Sequence, residues 1–280
     1  MKSATAAIEE LELKLLLEAI FHKYHYDFRN YSMASIKRRL LQARDHLGCE
    51  TFSQLQDKTL HDPAIFPVLL GYLTVQVSEM FRDPSYFLCL RNRVVPHLKT
   101  YPSLKVWIAG CSTGEELYSL AILFREEGLE SRTIFYATDI NSAALEKAEA
   151  GVYSLDRIAQ FSRNHRDSGA KASLSDYYTA AYGAAMFDKS LKTRCVFSNH
   201  SLVSDSVFAE TQLVSCRNVL IYFDCELQDQ AIGLFKDSLV RKGFLGLGSK
   251  ENIRFSCHAP SFSEFARSER LYQKEEKNEA

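Results

Sequence analysis

Two neighbouring acids follow a turn of small residues near the middle of the chain. Glu115 and Glu116 come directly after the turn at residues 110–114, in which Gly110 and Gly114 let the backbone approach a ligand closely. Either acid alone could simply complement the positive end of a helix dipole. Together they would repel a pyrophosphate, so a ligand with hydroxyl groups or a positive charge fits better. The dinucleotide pattern G-x-G-x-x-G is absent, which disfavours a nicotinamide oxidoreductase.

A third acid, Asp139, ends a predicted strand at residues 133–139. In an open α/β sheet, an acid at the end of the second strand can accept hydrogen bonds from the 2′- and 3′-hydroxyl groups of a ribose. Alone, Asp139 would be interpreted as a cap or turn residue. The glycine turn upstream favours the ribose role.

The elements around these residues predict an α/β fold. The short apolar run at residues 106–109 predicts a buried strand, and apolar residues after the turn recur at helical spacing. Further strands are predicted at residues 195–197, 213–216, 244–247 and 271–273, with a helix capped by Asp224. We therefore expect a mostly parallel sheet, with ligands bound outside the carboxyl ends of its strands.

The first part of the chain, to about residue 90, has helical patterns and little glycine. In the first helix, apolar residues step along one face: Ile8, Leu11, Leu15 and Ala19. A second helix, predicted at residues 32–47, carries four cations: Lys37, Arg38, Arg39 and Arg44. They form either a solvated face or a docking surface for an acidic helix.

Residues 153–192 form the least regular part and are interpreted as an insertion. Long inserts in compact domains usually act as lids or binding loops. This one shows no clear alternating strand pattern. We expect a helical domain at residues 1–90, a linker at 91–104, and an α/β domain at 105–280 that contains the insertion.

The composition excludes several classes of protein. The 280 residues carry a formal charge of −1, so no global field favours nucleic acid, and no segment is long and apolar enough for membrane insertion. Seven cysteines form no C-x-x-C pair, which indicates reduced thiols and no metal site. No signal segment is found, so a cytoplasmic location is expected.

Four motifs together resemble one family. They are residues 110–116, Thr138-Asp139-Ile140, residues 216–223 (Cys-Arg-Asn-Val-Leu-Ile-Tyr-Phe) and residues 248–252 (Gly-Ser-Lys-Glu-Asn). The chain is similar to chemotaxis receptor methyltransferases of the CheR type from about residue 20 to 274. The resemblance implies an S-adenosylmethionine-dependent methyltransferase domain with a Rossmann-like sheet, a small helical domain before it and a small inserted subdomain.

The resemblance also implies the reaction, methyl transfer to glutamate carboxylates on the cytoplasmic helices of chemoreceptors, giving glutamyl methyl esters and S-adenosylhomocysteine. Matching the family's motifs assigns these cofactor contacts: Gln76, Ser78, Arg82, Glu116, Asp139, Ser201, Leu202, Cys216 and Arg217. Gly110 joins them because its turn lets the backbone approach the ligand. Tyr222 matches an active-site tyrosine.

The implied roles are chemically coherent. Asp139 would hold the ribose, Glu116 would attract the cofactor's ammonium group, and Arg82 would pair with a carboxylate of the cofactor or of the substrate. Arg82 and Tyr222 are thus the catalytic candidates. The alternatives are a catalytically silent module that binds S-adenosylmethionine for signalling and, less favoured, the nicotinamide oxidoreductase.

Overall fold

The structure is a computed structural model that describes residues 2–74, 76 and 78–275. The chain divides into two compact units. The first contains the described part of residues 1–75 together with Tyr222–Gln228, and the second contains the rest. The first unit therefore ends earlier than the predicted limit at residue 90, and it includes a short segment from late in the chain.

The first unit is built from four helices. They are α1 (Lys2–Tyr24), α2 (Met33–His46), α3 (Phe52–His61) and α4 (Ile65–Leu73). Helix α1 packs on α3, and α2 packs on α4. The side chain of Thr51 caps α3 by accepting a hydrogen bond from the Gln54 N–H at 3.1 Å.

The face of α1 that the apolar spacing singled out lies on the surface. Ile8, Leu11 and Leu15 are 60%, 58% and 48% exposed. The buried face is formed by other residues of the same helix: Leu13, Leu16, Leu17 and Ile20. Because leucines occur on most sides of this helix, spacing alone could not identify the side that meets the core.

The second unit is organised by a seven-stranded sheet in the order β6-β2-β1-β7-β8-β10-β9. Its strands are β1 (Leu104–Ala109), β2 (Thr133–Asp139), β6 (Cys195–Asn199), β7 (Thr211–Cys216), β8 (Leu239–Leu247), β9 (Phe262–Ala266) and β10 (Leu271–Lys274). Strands β6, β2, β1, β7 and β8 are parallel, whereas β10 is antiparallel to both neighbours. The predicted mostly parallel sheet is confirmed.

Helices join these strands and cover the sheet. They are α5 (Pro84–Cys89), α6 (Val95–Leu98), α7 (Glu115–Glu126), α8 (Ser142–Ala150), α9 (Leu155–Asp167) and α10 (Cys225–Ser238). Val106 and Ile108 of β1 lie in one buried cluster with Leu117 and Leu120 of α7. This packing fixes the start of α7 beside the carboxyl end of β1.

The insertion forms a small antiparallel sheet in the order β3-β5-β4. Its strands are β3 (Val152–Ser154), β4 (Tyr178–Ala181) and β5 (Ala184–Phe187), and α9 lies between the first two in sequence. Tyr182 and Gly183 close the β4–β5 hairpin with φ angles of 50° and 77°. Strands of three or four residues are too short to show an alternating pattern, so this sheet could not be predicted from the sequence.

Within the described residues, no helix has the length and apolar character that a membrane crossing requires.

Candidate functional site

The glycine turn connects β1 to α7 with three residues in left-handed conformations. Gly110, Ser112 and Gly114 have φ angles of 75°, 51° and 93°. A Cβ atom added to Gly110 would lie 2.5 Å from Cγ2 of Val219, which belongs to the loop after β7. The glycine is therefore needed so that the loops after two neighbouring parallel strands can lie close together.

Asp139 lies at the carboxyl end of β2, beside this turn. One carboxylate oxygen accepts the N–H of Ser112 at 2.8 Å, and the other accepts the N–H of Asn141 at 2.9 Å. Burial raises the pKa of Asp139, and the backbone N–H bonds oppose that rise. A carboxylate has about four lone-pair sites, so Asp139 keeps acceptor capacity beyond its bonds to backbone N–H groups.

Gln76 also contacts the turn. Its side-chain oxygen accepts a hydrogen bond from the Ser112 hydroxyl at 2.9 Å. Gln76, Ser78 and Arg157 line a cavity of about 330 Å³ with three further residues, Glu79, Gln160 and Phe161. Gln76 and Asp139 therefore both bond to one residue, Ser112.

Glu116 meets a buried arginine at the end of β7. It accepts hydrogen bonds from the Ser215 hydroxyl and from Nη1 of Arg217, the latter at 3.1 Å. Nη2 of Arg217 bonds to Asp83 Oδ2 and to the carbonyl of Arg82, both at 2.8 Å. Sequence reasoning did not find Asp83, because its role depends on this long-range contact.

The charge of Arg217 is maintained inside the protein. Its guanidinium lies 4.1 Å from the ring centroid of Tyr86. Burial acts to lower the pKa of Arg217, but Glu116, Tyr86 and Asp83 outweigh it and raise that pKa. Its Nε–H is buried and has no hydrogen-bond partner among the described residues. One donor of a buried charged group is thus left unsatisfied by the described residues.

Arg82 stands between two residues with strained backbones, since Phe81 and Asp83 have φ angles of 51° and 56°. Its side chain is half-buried. Within the described part of the chain, the guanidinium of Arg82 makes no hydrogen bond or ion pair. The carbonyl of Arg82 bonds to Arg217, whereas its guanidinium has no partner among the described residues.

For three of the predicted cofactor contacts, Cys216, Ser201 and Leu202, the side chain is buried or is used within the protein. The thiol of Cys216 is fully buried and its pKa is raised by burial, which leaves only its backbone available to a ligand. The Ser201 hydroxyl accepts the N–H groups of Val203 and Ser204 at 3.2 and 3.3 Å, so it is used within its own turn. Leu202 is 8% exposed.

Tyr222 makes its contacts within the helical unit. Its carbonyl accepts the Ser32 N–H at 2.9 Å, and its ring centroid lies 4.6 Å from the guanidinium of Arg39. Its predicted catalytic role remains a prediction that rests on the family motif.

The basic surface predicted on α2 requires a correction. Arg39 is buried, where it donates to the Leu73 carbonyl and the Ser35 hydroxyl, so it cannot dock a partner helix. Two other cations are paired, since Lys37 bonds to Glu9 and Arg44 bonds to Asp45. Only one of the four is exposed, and that is Arg38.

Another arginine, whose partners were not predicted, joins the insertion to the turn. Arg157 of α9 donates to the fully buried Glu115 at 2.8 Å and to the carbonyl of Ser78. Glu115 also accepts the Thr113 hydroxyl at 2.7 Å. The two adjacent glutamates therefore differ, because Glu115 fastens the inserted subdomain whereas Glu116 faces Arg217.

Among the described residues, one group of side chains could in principle bind a metal ion. Ligand atoms of Asp229, Cys257 and His258 lie within 4.8 Å of one another. However, the Cys257 thiol is hydrogen-bonded to Asp229 at 3.1 Å, and Nδ1 of His258 lies 3.5 Å from the ammonium of Lys236. That ammonium would repel a metal ion, so we assign none to this group.

S-adenosylmethionine fits the donor set around the turn. Asp139 offers an acceptor for ribose hydroxyl groups, Glu116 offers a carboxylate for an ammonium, and the orphan N–H of Arg217 offers a donor for a carboxylate.

Comparison with known proteins agrees with this chemistry. Residues 76–267 match the SAM-binding domain of CheR methyltransferases, and residues 11–74 match the all-alpha domain of CheR methyltransferases. Cher3 of Pseudomonas putida is 57% identical over 265 residues, which cover 95% of this chain and 97% of that protein.

More distant relatives carry a functional name. A chemotaxis protein methyltransferase of Listeria innocua is 31% identical over 229 residues, covering 81% of this chain and 84% of that protein. Chemotaxis protein methyltransferase 2 of Pseudomonas aeruginosa is 28% identical over 238 residues, covering 81% and 79%. The chain belongs to the CheR family of S-adenosylmethionine-dependent methyltransferases.

Proposed function

We propose that the protein transfers a methyl group from S-adenosylmethionine to glutamate carboxylates on the cytoplasmic helices of chemoreceptors. The relatives from Listeria innocua and Pseudomonas aeruginosa are named as chemotaxis protein methyltransferases, which supports a receptor substrate. The observation that carries the proposal is Arg82, a half-buried cation whose side chain has no partner among the described residues and whose carbonyl bonds to Arg217. A carboxylate substrate is the partner that such a cation would recognise.

The bound cofactor supplies an electrophilic methyl group on a sulfonium. The glutamate oxygen forms the new C–O bond as the C–S bond breaks, which leaves a glutamyl methyl ester and S-adenosylhomocysteine. A glutamate side chain is already ionised near pH 7, so the protein needs no general base. Its task is to align oxygen, carbon and sulfur, and alignment of this kind can contribute several kcal/mol to lowering the barrier.

The residues of the site divide this task. Asp139 would hold the ribose, and Glu116 with Arg217 would hold the amino and carboxylate groups of the cofactor. Arg82 would hold the incoming glutamate carboxylate, and Tyr222 would position it or line the methyl path. Charge-assisted contacts of this type are worth about 1.5–3 kcal/mol each.

The direct test is transfer of a labelled methyl group. The protein is mixed with labelled S-adenosylmethionine and membranes rich in chemoreceptors, and the label on the receptor band is then treated with mild base. If the product is a glutamyl methyl ester, base hydrolyses it and the label is released as methanol. Label that resists base, or that appears on no receptor, would contradict the proposal.

A matched pair of variants makes this test specific. Arg82→Met should abolish most receptor labelling, because it removes the cation assigned to the substrate. Arg93→Met is the control, since Arg93 is an arginine of the same unit that bonds to the Phe265 carbonyl instead. Equal labelling by both variants would remove Arg82 from the reaction.

A further inference from the structure

A buried carboxylate outside the predicted site joins two loops that follow the carboxyl ends of neighbouring strands. The side chain of Glu251 is 4% exposed. One of its oxygens accepts the N–H groups of Gly248 at 2.7 Å and of Asn218 at 2.9 Å. The other accepts the N–H of Ile221 at 3.2 Å. At least three backbone donors from two loops therefore converge on one side chain.

The topology of the sheet explains why Glu251 can reach both loops. Strands β7 and β8 are parallel neighbours, and Cys216 at the end of β7 pairs with Leu247 at the end of β8. The loops that follow the two strands therefore begin next to each other, at the carboxyl ends of the strands. Residues 217–221 then run beside residues 248–251, which carry Glu251.

The backbone of both loops is adapted to this contact. Asn218 has a φ angle of 61°, so the chain turns sharply immediately after Arg217. A Cβ atom on Gly248 would lie 2.8 Å from the Asn218 nitrogen and 2.8 Å from the Glu251 carboxylate. The close approach thus needs a glycine on one side and a carboxylate between the loops.

We propose that Glu251 is a positioning residue for the cofactor site: its carboxylate fixes residues 217–221 and thereby aims Arg217. This deepens the proposed function and rests on it for the ligand. The role requires a carboxylate, because only an acceptor-only group can satisfy three converging N–H donors. A glutamine amide would turn its own N–H donors towards at least one of them.

A role as a charge partner does not explain Glu251. It takes part in no ion pair among the residues that the structure describes, and its hydrogen-bond donors are backbone amides. A residue that only neutralised Arg217 would contact its guanidinium, as Glu116 and Asp83 do. The contacts of Glu251 act instead on the backbone that carries Arg217.

The test is the affinity for S-adenosylhomocysteine, measured by calorimetry on the full chain. Glu251→Gln should weaken binding by about tenfold, as the loss of one well-placed hydrogen bond would. Leu129→Ala is the control, because Leu129 is fully buried at the amino end of β2 and its loss lowers stability without touching either loop. Its affinity should stay within about twofold of the wild type, and urea unfolding should confirm that both variants are folded.

A double variant distinguishes positioning from general damage. If Glu251 acts through Arg217, Glu251→Gln should cost little further affinity once Arg217→Lys is present. Fully additive losses, or equal affinity of Glu251→Gln and wild type, would overturn the proposal. If Glu251→Gln does not fold, Gly248→Ala disturbs the same contact and should produce the same loss. Failure of the wild-type protein to bind would contradict the cofactor assignment itself, which is a separate result.

Discussion

Both ends of helix α7 carry two adjacent glutamates, and the two pairs serve different purposes. At the carboxyl end, Glu126 pairs with Arg91, and Glu127 pairs with Arg91, Lys99 and Lys171. Cations of the protein itself therefore satisfy the charges of both acids. The acids are unfavourable beside the negative end of the helix dipole, so the cations are needed to keep them there.

The amino end of α7 is different because its charges are left partly unsatisfied. Glu116 pairs with Arg217, but one N–H of Arg217 has no partner and the neighbouring Arg82 has none among the described residues. A buried acid is therefore not in itself a sign of a ligand site. The sign is a charged group whose remaining donors or acceptors point to nothing within the protein.

The largest effect should come from Glu116→Gln. This change removes the charge that faces Arg217 and that we propose holds the cofactor's ammonium group, so affinity for S-adenosylhomocysteine should fall by about 100-fold. Calorimetry measures the change. Glu126→Gln, at the other end of the helix, is the control and should bind normally while losing stability. Equal affinities of Glu116→Gln and Glu126→Gln for S-adenosylhomocysteine would contradict this difference between the two ends of the helix.

Asp139→Ala should weaken the same binding by about 10- to 100-fold, since one or two buried hydrogen bonds to the ribose are lost. Asp139 also holds the N–H groups of Ser112 and Asn141, so part of the loss would come from the turn itself. Comparing S-adenosylhomocysteine with its 2′-deoxy analogue separates the two causes. If the variant discriminates between them as strongly as the wild type does, Asp139 does not contact the ribose.

At the carboxyl end of α7, the ion pairs of Glu127 should make the stability of the protein depend on pH. Burial alone would raise the pKa of Glu127, but hydrogen bonds from Lys171, Arg91 and Lys99 outweigh it and lower the pKa to about 2. Because the folded-state pKa is below the unfolded value of about 4.3, this stabilisation is present above pH 4.3 and is lost as the pH falls towards 2.

The expected size of this effect is on the order of 1–3 kcal/mol in the free energy of unfolding. Urea unfolding at several pH values measures it, and the slope below pH 4.3 should be shallower in Glu127→Gln. An identical slope in both proteins would mean that Glu127 titrates normally in the folded state. Cofactor affinity near pH 7 should be unchanged by this substitution.

The smallest effect should come from Arg38→Glu on α2. Arg38 is the exposed cation of that helix, so charge reversal should reduce receptor methylation by about threefold at low salt and less at high salt. Lys14→Glu on α1 is the matched control, since it also reverses an exposed charge. Cofactor affinity should not change in either variant. Equal methylation rates for both variants would remove α2 from receptor contact.

Sequence reasoning predicted local features well. The strand Thr133–Asp139, the glycine turn and the helix after it depend on residues close together in the chain, and the structure has them where they were expected. The inserted sheet was missed because its strands are too short to show a period. Strand β9 (Phe262–Ala266), at one edge of the seven-stranded sheet, was not predicted either.

The partners of the charged residues could not be predicted in the same way. Arg39 and Arg38 are neighbours on one helix, but only the packing of α4 shows that Arg39 bonds to the Leu73 carbonyl. Glu251 and Asp83 likewise act on residues far away in sequence. Spacing identifies the residue types that can do chemistry, whereas burial and long-range contacts decide which of them are free to do it.

The most direct measurement is a crystal structure of the protein with S-adenosylhomocysteine. The account predicts the ribose hydroxyl groups on Asp139 and the amino-acid part of the ligand between Glu116 and Arg217, with the Nε–H of Arg217 satisfied. A ligand bound elsewhere, or side chains of the protein filling the space beside the glycine turn, would contradict it.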